Sequence, residues 1–213
     1  MSTALTATDL AVWLHRCAAL MEAHAEELTS LDAAIGDADH GANMSRGFRA
    51  VDGIADDAAA GGPAALLKKA GMTLVSTVGG ASGPLYGTLL LRMASAAGDA
   101  ETLDAAALGE ALTAGVQGVA DRGKASPGEK TMLDAWTPAL EAYRGAGDDL
   151  SAAVAAGAAA AAQGREDTAP LTATKGRASY LGERSVGHID PGAASTALLW
   201  QALAETVTGE ESQ

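Results

Sequence analysis

Residues 10–28 read LAVWLHRCAALMEAHAEEL, and this stretch decides the fold. Leu10, Trp13, Leu14, Cys17, Leu20, Met21, His24 and Leu28 recur at three- and four-residue spacing, which draws one apolar stripe down a helix. Thr6 followed three residues later by Asp9 reads as a capping box at its start. The same period predicts further helices over 43–58, 64–77, 84–98, 103–122, 132–145, 149–165 and 191–208. Asp190-Pro191 opens the last one, because Asp caps free amides and Pro is tolerated in a first turn. No segment shows sustained period-two alternation, so no strand is assigned. Composition agrees: 48% of the 213 residues are hydrophobic but only 3% aromatic, which suits close-packed Ala-rich helices better than a β-sandwich.

Eight helices have seven connections, and these are of two kinds. The second, fourth and sixth are short Gly, Asp and Ala links (59–63, 99–102 and 145–148). The first, third, fifth and seventh (30–42, 78–83, 123–131 and 166–190) carry almost all the reactive residues. Alternate connections of an up-and-down bundle lie at one end. Parity therefore predicts that these four loops converge on one face.

The first of them contains Asp32, Asp37 and Asp39 between Gly36 and Gly41. Hard cations such as Mg²⁺ take a few carboxylates and leave other positions to water and phosphate oxygens. An EF-hand reading fails, since the twelfth position counted from Asp37 is Phe48. Spacing alone fits a cation site and a solvated turn equally well. The second loop, Gly79-Gly80-Ala81-Ser82-Gly83-Pro84, joins small residues to a helix start, which suits a phosphate and equally an ordinary cap. The third, Gly123 to Thr131, nearly spells a Walker A motif, but Glu129 separates Gly128 from Lys130 and a helix precedes it, so a P-loop fold is rejected. The fourth places Lys175, Arg177 and Arg184 within ten residues, a composition that fits an anion partner or a flexible solvated loop. His40 and His188 are candidate bases or ligand-orienting groups, although a lone His is more often structural. Trp13, Trp136 and Trp200 read as core.

A net charge of −13, from 14 basic against 27 acidic residues, argues against nucleic-acid binding, which needs phosphate-neutralising Lys and Arg. Single Cys17 excludes an intrachain disulfide framework and a multi-Cys zinc site. The N-terminus lacks the pattern of a signal peptide, and the longest apolar runs are too short to span a membrane. A cytoplasmic chain without membrane contact is expected.

Taken together, 36–44 (GDADHGANM), 79–84 (GGASGP), 128–132 (GEKTM) and 176–185 (GRASYLGERS) resemble the nucleotide-binding L subunit of dihydroxyacetone kinases, over about residues 8–208. One departure stands out: the Asp motif of that family is usually Gly-Asp-Gly-Asp, and Ala38 replaces its second Gly here. The resemblance implies an all-α, single-domain antiparallel eight-helix up-and-down barrel, residues 1–213, with the nucleotide site at one rim. It implies that Asp32, Asp37 and Asp39 hold two Mg²⁺ ions bridging the phosphates of ADP or ATP. His40, Gly41, Ala42, Asn43, Met44, Ala81 and Ser82 would contact phosphates and nearby groups. Gly123 and Met132 would border the nucleoside, while Arg177, in a catalytic role, and Asp190, Pro191 and Gly192 would complete the site. It further implies a dihydroxyacetone-binding K subunit as acceptor and a phosphohistidine-bearing M subunit as donor, with a homodimer left open. The alternatives are the L subunit of an ATP-dependent triose or tetrose kinase and a non-catalytic ADP-loaded regulatory module.

Overall fold

The computed structural model describes residues 3–209. Its helices are α1 (Ala7–Ala23), α2 (Ala25–Ile35), α3 (His40–Ala59), α4 (Pro63–Thr77), α5 (Ser82–Ala97), α6 (Ala105–Gly123), α7 (Leu133–Gly145), α8 (Leu150–Asp167) and α9 (Pro191–Thr208). Each leg packs against its neighbour in sequence, and α9 returns to α1, so the ring closes as an all-α barrel. The capping box at Thr6 is present, with its side chain accepting from Asp9 N and Asp9 accepting in return. The main core is an aliphatic cluster that engulfs Trp13, Phe48, Trp136 and Trp200, and a small second cluster joins Ile35, Ala173 and Ala178. Trp13 Nε1 donates to Leu199 O at 3.0 Å, fastening α1 to α9 across the seam of the ring.

Three local features depart from the sequence reading. The first predicted helix breaks at His24, whose Nδ1 lies 2.7 Å from Glu27, so α1 and α2 form one bent leg. Glu27 also accepts from Arg165 of α8 at 2.5 Å, which steers α2 toward that side of the barrel. Second, two strands exist where none was assigned: β1 (Ala4–Thr6) pairs antiparallel with β2 (Thr102–Asp104). Third, the long seventh connection contains a 3-10 helix over Arg177–Ser185.

The parity prediction holds. Connections 36–39, 78–81, 124–132 and 168–190 open at one end of the barrel and line a common cavity. The β1–β2 pair lies beside the start of α1 and the start of α6, at the opposite end. Among the described residues, no helix is long and apolar enough to cross a membrane.

A candidate nucleotide and metal site

Asp32 anchors the cavity. It sits in the last turn of α2, buried, and its Oδ2 accepts from the amides of Asp39 at 2.8 Å and His40 at 3.1 Å. Those two amides belong to the cap and first residue of α3, so one carboxylate joins the ends of two helices. Only four residues lie between the helices, and the tight turn demands special backbone. A Cβ on Gly36 would meet Asp32 Oδ1 at 2.0 Å. A Cβ on Gly41 would meet Ala25 O at 1.9 Å, so only Gly allows α3 to start this close to α2. Ala38 takes φ +60, a left-handed conformation that a Gly would adopt without penalty.

This turn brings Asp32, Asp37 and Asp39 together, with one carboxylate oxygen of each within 4.8 Å of the others. Oxygen donors that close, two of them exposed to the cavity mouth, fit a hard divalent cation with positions left for water or phosphate. Arg177 Nη2 lies 3.1 Å from Asp37 Oδ2, so the 3-10 helix delivers its guanidinium to the same spot.

The cavity has a volume of about 380 Å³. It gathers Asp32, Asp37, Asp39, His40, Ala81, Ser82, Gly123, Met132, Arg177, Asp190, Pro191 and Gly192 from six separate segments. Four other candidates lie outside its lining. Met44 is fully buried in the core, and Asn43 accepts from Arg46 Nη2 at 2.5 Å beside Gly79. Gly41 is pressed against α2, and Ala42 faces solvent. Of these four, Gly41 and Ala42 offer first-turn amides of α3 that lack helical acceptors, whereas Asn43 N already donates to Asp39 O at 2.9 Å. His188 is exposed and outside the lining, which leaves His40 as the histidine of the site.

His40 is buried with both ring nitrogens occupied. Nε2 lies 2.9 Å from Ser195 Oγ, and Nδ1 lies 3.1 Å from Ser82 Oγ. Burial lowers its pKa, against the pull of Asp32 and Asp39. Behind it, Ser195 Oγ is 2.7 Å from the hydroxyl of Tyr86, which is also 3.1 Å from Thr196 Oγ1. Sequence reading passed over Tyr86, Ser195 and Thr196. The available signal was a polar Ser-Thr pair on the inner face of an otherwise Ala- and Leu-rich helix.

Lys130, the lysine of the near-Walker loop, is a strut. It is buried to 1% exposure, and its ammonium donates to the carbonyls of Thr168 (2.6 Å), Ala169 (3.3 Å) and His188. That ties the fifth connection to the seventh. Asp134 does similar work, accepting from the amides of Gly128 and Thr131. Lys130 lines the cavity as well, but its ammonium is turned to those carbonyls, whereas Arg122, Lys175 and Arg177 are the other cations of the lining. Asp190 caps α9 by accepting from Ala193 N at 2.7 Å. Burial lifts its carboxyl to about 7, opposed by that amide and by Lys130 and reinforced by Asp134.

The sequence profile described as the DAK2 domain matches residues 34–205, and the chain belongs to that family. It is 46% identical over 203 residues to the PEP-dependent dihydroxyacetone kinase, ADP-binding subunit DhaL, of Escherichia coli K12, covering 94% of this chain and 97% of that one. It is 43% identical over 206 residues to the PTS-dependent dihydroxyacetone kinase, ADP-binding subunit DhaL, of Lactococcus lactis, covering 95% and 99%. Among solved structures it is similar to the dihydroxyacetone kinase of C. freundii in complex with AMP-PNP and Mg²⁺, with a TM-score of 0.74 and 26% identity. That match covers 92% of this chain but 33% of the longer kinase, so the chain corresponds to about a third of it.

Proposed function

We propose that the chain is the ADP-binding subunit of a dihydroxyacetone kinase. In this reading it takes a phosphoryl group from a phosphohistidine on an M subunit and passes it, through Mg-bound ADP/ATP, to dihydroxyacetone held on a K subunit. The observation that carries this is the convergence on one cavity of a carboxylate triad, Arg177, the Ala81–Ser82 turn and the capped start of α9. The two relatives of matching length support the subunit form, since each is named as an ADP-binding subunit and is spanned almost end to end. Residues 1–213 then form one L-type helical domain with its core over about 8–208, placed in the cytoplasm; residues 1–2 and 210–213 lie outside the described part.

The roles divide by position. Asp32, Asp37 and Asp39 would hold Mg²⁺, which when bound supplies neutralisation of phosphate charge. Asp32 also fixes the turn on which the other two stand, so ligand geometry is set by helix ends rather than by a free loop. Arg177 would follow charge on the transferring phosphoryl. The first-turn backbone of α3, with His40, Gly41, Ala42, Asn43 and Met44, and the Ala81–Ser82 turn would cradle phosphates, while Gly123 and Met132 border the nucleoside. Asp190, Pro191 and Gly192 close the wall opposite.

A second reading is favoured by the solved kinase holding AMP-PNP: an L-type domain that exchanges ATP directly for a triose or tetrose. Purifying the chain without added nucleotide, identifying what co-purifies and assaying it with K and M partners separates the two. Retained ADP with transfer from phospho-M supports the first. Rapid exchange with ATP as direct donor overturns it in favour of the second. Bound nucleotide with no transfer under either condition leaves a regulatory module.

A further inference from the structure

The long seventh connection is closed at its neck. Lys130 brings its ammonium from the fifth connection to the carbonyls of Thr168 (2.6 Å), Ala169 (3.3 Å) and His188, so three donors meet acceptors on both strands of the neck. Gly187 N donates to Ala169 O at 2.8 Å, and Asp190 N donates to Thr168 Oγ1 at 2.9 Å, which completes the closure. Beside the lysine, Glu129 O accepts from Thr174 N at 3.2 Å. Lys130 itself holds φ +61, an uncommon backbone for a residue with a Cβ. Strain of this kind persists where the surroundings fix it.

Beyond the neck, residues 170–186 pack on themselves, as a loop with joined ends can. Ser185 is fully buried, and its Oγ accepts from Ala173 N at 2.8 Å and donates to Gly182 O at 2.7 Å. Ala173 and Ala178 form a small core with Ile35, and Leu181 packs against it. Ile35 ends α2 just ahead of Asp37, and Ala178 follows Arg177. The loop is thus gripped at its neck and seated on the end of the helix that leads into the carboxylate turn. Arg177 reaches Asp37 Oδ2 at 3.1 Å from that body. An exposed ion pair is too weak to hold a loop by itself, so the body places the guanidinium and not the reverse.

We propose that Lys130 and Ser185 are positioning residues for Arg177: Lys130 clamps the neck of the loop, Ser185 ties its body, and together they hold the guanidinium over the carboxylate triad. This deepens the nucleotide reading above and rests on it for what Arg177 does. It also gives the lysine of the near-Walker loop a different task from that of a phosphate-binding lysine. Its charge is spent on backbone carbonyls, and it acts on the site through the loop that it closes.

The test pairs hydrogen exchange of the full chain with phosphoryl transfer in the assembly with K and M partners. In Lys130→Met the amides of 170–186 exchange about tenfold faster, while those of α1 and α9 keep their wild-type rates. Transfer at saturating nucleotide falls by about three- to tenfold, with Mg–ADP affinity changed by less than about twofold. Lys130→Met adds nothing to the loss in an Arg177→Ala background, because both act through one guanidinium. Ser185→Ala gives the same pattern more weakly, and serves alone if Lys130→Met does not fold. Exchange that quickens alike throughout the barrel, or losses that multiply in the double variant, overturn the inference while leaving the nucleotide reading intact. Absence of transfer by the wild-type assembly from either donor removes that reading and this inference with it.

Discussion

Arg177 Nη2 stands 3.1 Å from Asp37 Oδ2, so the guanidinium that the 3-10 helix brings to the mouth rests on a member of the carboxylate triad. The pair is solvent-exposed, Arg177 by 67% and Asp37 by 37%, and contributes about 0–1 kcal/mol to folding. Arg177→Ala is therefore expected to lower the melting temperature by no more than about 4 °C, from that energy for a domain of this size. It should tighten Mg²⁺ binding in the absence of nucleotide, by freeing Asp37, and cut phosphoryl transfer by at least about tenfold. A loss seen chiefly in melting temperature makes Arg177 structural.

Asp32 and Asp37 should separate in their effects. Asp37→Asn removes a ligand oxygen's charge at an exposed position, so Mg²⁺-dependent ADP retention should vanish while circular dichroism and stability stay unchanged. Asp32→Ala strips two amides of their acceptor as well, the buried one of His40 and the part-buried one of Asp39, and should cost about 1–3 kcal/mol of stability in urea unfolding. Equal stability of the two variants would contradict the turn described for Asp32.

Ala38 holds φ +60 in a turn that a Gly would relax. The left-handed conformation costs Ala roughly 1–2 kcal/mol, against roughly 0.5–1 kcal/mol of extra chain entropy for Gly, so Ala38→Gly should gain about 0.5–1 kcal/mol. Mg–ADP retention should be kept or improved. A fall in unfolding free energy would show that the Cβ has a packing role.

Asp190 gives a signed pH effect. Its carboxyl rises from 3.8 to about 7 on folding, through burial first, so between those values the folded chain binds a proton that the unfolded chain has released. The group's contribution to stability is complete below about 4 and is lost as pH rises toward about 7. Asp190→Asn keeps an oxygen for Ala193 N and removes the titration. The difference in unfolding free energy, wild type minus variant, should fall across this window; a flat difference would place the Asp190 pKa near its ordinary value.

The sequence made the helices and their shared mouth legible because both follow from periodicity and parity, which tertiary contacts do not disturb. The Asp and Gly residues of the candidate site were visible because a tight turn between two helix ends permits few residue types. What escaped depends on partners remote in sequence. β1 and β2 are three residues each, too short for a period, and exist only through each other. Lys130 resembles a phosphate cation until the carbonyls of Thr168, Ala169 and His188 are seen around it. Tyr86, Ser195 and Thr196 meet across more than a hundred positions, and no local pattern announces them.

The seam between α1 and α9 also sets an order of events during synthesis. The wall made by Asp190 to Gly192, the Ser195 that braces His40, and the Leu199 carbonyl that receives Trp13 all belong to the ninth helix. A nascent chain on the ribosome holds the acidic turn early, within its first forty residues, but with nothing opposite it. Under the proposed function, nucleotide capture would wait until nearly the entire barrel has emerged, so a half-made chain would not sequester ADP.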